Sequence, residues 1–258
     1  MKIFINSALR LVILSIILGV SLASCKPGGE GKSSKARKQD SVILISGNIN
    51  GTGSSIDIEM IKGKSHNHPT FALWIEDTGG NYMQTLFVTK AIGQGIFEHG
   101  DNSGGAWKPG EVRRPAALPY WAHKRGIKND YGSFEPTPAT KVPDAYSGAT
   151  PQGSFKLSTR ADNASKGKVK LMLEINQPWD WNEYWTNVLY PEDAEYKTSC
   201  QPAVVYSALI DLDSPGSGIE LKPVGHSHYS GKTGELFTDL STITTALHIA
   251  ERITATVK

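Results

Sequence analysis

Three stretches of this chain hold residues whose types and spacing could do chemistry. His66-Asn67-His68 and His226-Ser227-His228 repeat one pattern. On an extended strand residues i and i+2 point the same way, so each pair could chelate one metal ion. If the pairs meet, His66, His68, His226 and His228 form a four-histidine set suited to zinc or copper. Loop histidines that hydrogen-bond backbone groups fit the same pattern. In the second stretch, Trp179, Trp181, Glu183 and Trp185 share one face of an extended segment, with Asp180, Asn182 and Tyr184 on the other. Aromatic platforms beside acids and amides suit a glycan, because rings stack on sugar C–H faces and polar groups take the hydroxyls. Packing of the three Trp rings into a sandwich core or rim is the plainer alternative. The third stretch is Asp144-Ala145-Tyr146-Ser147-Gly148-Ala149-Thr150, bounded by Pro143 and Pro151. Thr150 offers a hydroxyl, and Gly148 and Ala149 leave room for an approaching group. An Asx turn at Asp144, with Ser-Gly entering a strand, accounts for the same residues.

Asp144, Ser147, Gly148, Ala149 and Thr150 are similar to the D-x-x-[ST]-G-A-T signal of extracytoplasmic proteins that carry covalent flavin. The resemblance implies that a flavin transferase joins the phosphate of FMN to the Thr150 hydroxyl. Tyr120, Trp121 or Tyr131 would then stack on the flavin ring, and Arg113 or Arg114 would pair with its phosphate. The chain departs from that family in two ways. Pro151-Gln152-Gly153 leads into a strand rather than a helix, and the sequence offers no recognisable second, His-containing flavin-contact loop.

The first residues read as a targeting segment. Lys2 and Arg10 supply positive charge, and Leu11 to Val20 supply an apolar run too short to span a bilayer. Leu22-Ala23-Ser24-Cys25 follows and resembles the lipobox of bacterial lipoproteins. The resemblance implies removal of a signal peptide, residues 1–24, and a diacylglycerol on the Cys25 sulfur that anchors the protein to the cell envelope. Lys26, standing where an Asp would favour inner-membrane retention, points to the outer membrane. Residues 25–40 lack large apolar side chains beyond that cysteine and read as a flexible tether. The chain has 27 basic and 25 acidic residues, and loss of Lys2 and Arg10 makes the balance even. An exported chain of balanced charge is not expected to bind nucleic acid. With Cys25 acylated, Cys200 is left without a partner, so no disulfide framework is expected.

The elements that must position these groups are strands. Phe71 to Thr89 reads as a β-hairpin, apolar on both faces and turned at Asp77 to Asn81, and is the expected centre of the sheet core. Nine strands are predicted: Val42–Asn48, Ser55–Lys62, Thr70–Asp77, Tyr82–Thr89, Ser154–Arg160, Lys168–Asn176, Ala203–Asp211, Ile219–Gly225 and Ala246–Val257. Seven of the fourteen prolines fall between His99 and Gly153, which predicts a long irregular insertion that drapes over the sheets and walls a cleft. The expected fold is all-β, an antiparallel Ig-like β-sandwich over residues 41–258 carrying that Pro-rich insertion. HPTFALWIEDTGGNYMQTLFVTK, RRPAALPYWAHKRGI, PDAYSGATP and QPAVVYSALID together resemble an uncharacterised family of predicted periplasmic proteins, common as lipoproteins in the Bacteroidetes. The hairpin is similar to the Ig-like module of flagellar hook-capping proteins. These likenesses imply a β-sandwich and no defined activity. The chain has no G-x-S-x-G, H-E-x-x-H or Cys-x-x-Cys, so the expected function is a non-catalytic binding or interaction module. A covalent-FMN redox module and a His-based metal protein stand as alternatives.

Overall fold

The computed structural model describes residues 42–216 and 218–258; the leader 1–24, Cys25 and the tether to residue 40 lie outside the described residues. Thirteen strands form. They are β1 (Ile43–Ser46), β2 (Ser55–Lys62), β3 (Thr70–Glu76), β4 (Tyr82–Thr89), β5 (Ile96–Asp101), β6 (Lys108–Glu111), β7 (Ser147–Gly148), β8 (Phe155–Arg160), β9 (Lys168–Asn176), β10 (Val204–Asp211), β11 (Ile219–Glu220), β12 (Lys222–His226) and β13 (Ala250–Val257). Three short helices, α1 (Lys90–Gln94), α2 (Pro119–Arg125) and α3 (Tyr196–Ser199), lie in the connections.

The strands make a five-stranded sheet, β1-β8-β2-β13-β11, facing a six-stranded sheet, β12-β10-β9-β3-β4-β7. A separate two-stranded ribbon pairs β5 with β6. The all-β sandwich expected from the sequence is present. Its pairing is antiparallel except at two sheet edges, where β1 runs parallel to β8 and β7 parallel to β4. The predicted strand Ile219–Gly225 is two strands in different sheets: β11 pairs with β13 and β12 with β10. Leu221 between them is buried, and its N–H donates to Ile253 O.

The six-stranded sheet is buried on both faces. Phe71, Leu73 and Ile75 of β3 and Leu171, Leu173 and Ile175 of β9 meet Ile56, Ile58 and Met60 of β2 in the core between the sheets. Phe71 stacks between Phe87 and Phe155, with ring centroids 5.2 and 5.1 Å away. On the outer face, Ala72, Trp74, Val88 and Met172 form a second core with Leu118, Trp121 and Val142 of the Pro-rich region. A sheet covered on both sides needs no polar alternation, which is why the hairpin reads as apolar throughout. The uneven pattern of its second arm has a specific cause. Leu73 pairs with Phe87 and Trp74 with Thr85, so Leu86 is an extra residue in a β-bulge. The bulge turns both Leu86 and Phe87 into the intersheet core.

Residues 117–122 and 142 of the Pro-rich region pack on the outer face, in a stretch that holds β6, α2 and β7 rather than irregular chain alone, and one buried carboxylate fixes α2 there. Glu174 of β9 points outward from the intersheet core and accepts the backbone N–H of Tyr120 at 3.2 Å and of Trp121 at 2.8 Å. It thus caps the first turn of α2 from a distant strand, where Pro119 lacks a donor and no local side chain caps. Trp121 Nε1 donates to Thr85 Oγ1 at 2.9 Å, tying the helix to β4 as well.

Candidate functional site

A cavity of about 830 Å³ opens at one end of the six-stranded sheet. Its walls come from five separate parts of the chain. The sheet contributes Thr70 at the start of β3 and Asn176 at the end of β9. Helix α1 and the β5–β6 ribbon contribute Lys90, Ile92, Gln94, Phe97 and His99. Arg114 and Ala117 enter from the segment before α2, and Thr198 and Ser199 from α3. The remaining wall is the end of the predicted motif, Ala149 and Thr150, followed by Gln152.

The motif is built so that its last residues reach this wall. Asp144–Tyr146 is a single 3₁₀ turn, and Asp144 Oδ1 accepts Gln94 Nε2 at 2.6 Å. Ser147 and Gly148 then pair alongside Val88 and Thr89. A Cβ on Gly148 would sit 2.8 Å from Phe87 Cε2, so the close approach of β7 to β4 requires glycine. The Asx turn expected at Asp144 is therefore replaced by a 3₁₀ turn, and Gly148 has a packing role of its own. Thr150 is half-buried. Its carbonyl accepts Gln152 Nε2 at 3.2 Å, while its hydroxyl has no hydrogen-bond partner among the described residues.

A loop with two histidines lies beside the motif in space. His68 lines the same cavity as Thr150. The His66 ring faces the carbonyls of Ile249 and Pro151, and burial pulls its pKa below the ordinary value, so the ring is neutral at pH 7. Its Nε2 is buried without a hydrogen-bond partner.

The charged side chains around the cavity are Lys90 and Arg114 against Glu98. The Arg114 guanidinium lies 5.5 Å from the Phe97 ring centroid. The partners expected for a flavin are corrected by this arrangement. Arg113 is bound to Glu135 at 2.7 Å and to Ser133 at 3.0 Å, and lies over Tyr131, so it is not available to the cavity. Tyr120 and Trp121 are buried in the second core. Of the residues expected there, Arg114 lines the cavity, and the aromatic side chain lining it is Phe97.

Backbone strain gathers at the same rim. The non-glycine residues with positive φ among those described are His68 (51°), Trp179 (55°) and Cys200 (67°). His68 lines the cavity, Trp179 follows the lining residue Pro178, and Cys200 follows Ser199. Such conformations persist only where surrounding structure holds them, and they concentrate at binding sites. Here the hold is a short ladder: Trp179 N–H donates to Thr198 O, Asp180 N–H to Ser199 O, and Gln201 N–H to Asp180 O.

The two His-x-His pairs do not assemble into a metal site. His226, Val204, Ile175 and Phe71 stand opposite one another across four adjacent strands. Three strand spacings of ~4.8 Å put Phe71, three residues after His68, roughly 14 Å from His226. Among the described residues, no group of three His, Cys, Asp or Glu is placed to hold a metal ion. His226 is buried against the Phe237 ring, and His228 Nδ1 accepts the Ser230 N–H at 3.1 Å.

The tryptophan face survives in part. Asp180 and Asn182 turn inward, and Trp179 and Trp181 turn outward. Asn182 Oδ1 then accepts the N–H of Tyr184 at 2.9 Å and of Trp185 at 2.7 Å, and this Asx turn breaks the alternation. Trp185 is thereby buried, packed with Tyr196, Tyr229 and His226, while Tyr184 is exposed. The expected shared face of Trp179, Trp181 and Trp185 is corrected accordingly.

Sequence reading missed Lys90, Phe97, Asn176 and Ser199 as site residues. Only Asn176 carried a local signal, as a polar residue closing an apolar strand. Comparison with family models, with curated proteins and with solved structures returned no match for this chain.

Proposed function

We propose that this chain is an envelope-anchored, non-catalytic module that carries a bound group in the cavity beside Thr150, and that the group is FMN joined to the Thr150 hydroxyl. The observation that carries the reading is the position of Thr150. The residue that ends the D-x-x-S-G-A-T match lines the cavity with a free hydroxyl. Ligand cavities run from about 300 to 1,000 Å³, and this one is about 830 Å³. Ile92, Phe97, Ala117 and Pro178 offer apolar contact to a planar ring system, and Asn176 and Gln152 offer amides to its polar edge. Lys90 and Arg114 offer charge-assisted hydrogen bonds to a phosphate. FMN supplies reversible electron transfer when bound; the residues here hold and orient it, so few reactive side chains are needed. A Cys25 lipid anchor sets this module at a membrane surface. The described part of the chain has no helix long and apolar enough to cross one. Ile43, where the chain enters β1, lies level with Phe155, whose ring stacks on Phe71 beside the cavity's end of the sheet.

The test is co-expression with an extracytoplasmic flavin transferase, followed by fluorescence of the denatured band and peptide mass mapping. Wild type should carry FMN on the peptide containing Thr150, and Thr150→Ala should carry none. An unlabelled wild type, in cells where a known acceptor is labelled, rejects covalent FMN and leaves a non-covalent ligand in the cavity.

A further inference from the structure

Outside the cavity, the segment from Trp179 to Leu189 exposes its largest side chains while its backbone is pinned. Trp179 is 70 % exposed, Trp181 56 %, Tyr184 56 % and Val188 68 %. The pins are polar and face inward. Asp180 accepts the Thr245 hydroxyl on its carboxylate. Asn182 Nδ2 donates to Thr242 O at 2.9 Å and to Gln201 Oε1 at 3.1 Å. Beneath them, Trp185 is buried and its Nε1 donates to Thr242 Oγ1 at 3.1 Å. Trp179 is held in the left-handed region at φ 55°, which a residue with a Cβ does not adopt freely. The exposed rings are thus held out from the surface by a preorganised support, which is how a contact platform is built.

The chemistry around the rings narrows the occupant. Of the charged residues between Gln177 and Cys200, Glu183, Glu192 and Lys197 are exposed, while Asp180 faces inward and Asp193 is paired with Lys232 at 2.8 Å. Glu183, next in sequence to the exposed rings of Trp181 and Tyr184, disfavours a phosphate group there. Glu183 and Asn187 are exposed in the same segment and offer hydrogen-bonding groups. Open aromatic faces that need no enclosing groove, with an acid and an amide in the same segment, match a pyranose chain. Its C–H faces stack on the rings and its hydroxyls bond the acid and the amide.

We propose that Trp179, Trp181 and Tyr184 form a binding surface for an uncharged or amino-bearing glycan. It is independent of the cavity, so its failure would leave the flavin reading untouched. The test uses the purified full chain on an array of neutral, amino-bearing and sulfated oligosaccharides. Vesicles of phosphatidylglycerol and phosphatidylethanolamine serve as the membrane probe. Binding to neutral or amino-bearing glycans is expected, with none to sulfated glycans or vesicles. The affinity for the best array glycan, measured by calorimetry, should fall roughly tenfold or more in the double variant Trp179→Ala/Trp181→Ala, since each stacked ring contributes about 1 kcal/mol. Tyr184→Ala should weaken it by a smaller factor. Both variants lie at exposed positions, and an unchanged melting temperature certifies the fold. No array glycan bound, vesicle binding in place of glycan binding, or full affinity in the double variant would each overturn the proposal.

Discussion

Replacing Glu174 by Gln should flatten the alkaline side of the stability profile. The Glu174 carboxyl is 0 % exposed, and burial raises its pKa to about 8 against the opposing pull of the Trp121 and Tyr120 N–H groups and the Ser227 hydroxyl. In the unfolded chain the same group titrates near 4.5. Between those values the folded protein holds a proton that the unfolded chain has released. Stability contributed by Glu174 is therefore complete below pH 4.5 and is lost as pH rises through 8. His66, His226 and His228 work in the opposite sense. Burial lowers their pKa values from 6.5, so they reduce stability as pH falls and are neutral in both states well above 6.5. Glu174→Gln keeps those histidine contributions, so the difference between the two profiles from pH 6.5 to 8 isolates Glu174. A span of about 1.5 pH units at ~1.36 kcal/mol each gives a loss of roughly 2 kcal/mol. Urea unfolding at fixed ionic strength, at half-unit steps across that window, should show the wild-type midpoint losing that amount relative to the variant's, with an unchanged m-value. At pH 6.5 the variant should be lower by about 1–3 kcal/mol, because its amide nitrogen replaces one of the two oxygens that accept the Tyr120 and Trp121 N–H groups and cannot accept one itself. A variant whose profile runs parallel to the wild type would refute the reasoning.

Gly148→Ala should destabilise the domain by about 1–3 kcal/mol, since its Cβ would meet the Phe87 ring at 2.8 Å in a stack that cannot shift freely. Thermal melting compared with Ala149→Ser, at an exposed neighbour, checks this; equal melting temperatures would mean that β7 lifts away at no cost. Cys25→Ser should move the protein from the membrane fraction to the soluble fraction, and unchanged sedimentation with membranes would rule out the acyl anchor.

Much of the architecture could be read directly. Seven of the nine predicted strands lie within a residue or two of those observed, or closely overlap them, because runs such as Ser55–Lys62 and Lys168–Asn176 alternate or are apolar throughout. The ribbon β5–β6 was not legible. Ile96–Asp101 and Lys108–Glu111 contain little apolar pattern, and Lys108–Glu111 contains a proline, so each is a strand only because the other pairs with it. The split at Leu221 was equally hidden, since a continuous strand and two strands in different sheets have the same residue pattern when the crossing residue is apolar.

For the site, the local chemistry was present in the sequence: a threonine closing a small-residue motif, histidines two apart, and tryptophans among acids and amides. Those are properties of neighbouring residues, and neighbours stay neighbours in any fold. Whether they act together depends on distances set by strand order. That order keeps the two histidine pairs three strands apart, yet brings His68, Lys90, Phe97, Arg114 and Ser199 to the wall that Thr150 reaches. It also decides which arginine is spent on Glu135 and which faces the cavity. Contacts between residues distant along the chain follow from packing both faces of one sheet, and no local pattern encodes which loops will meet at its end.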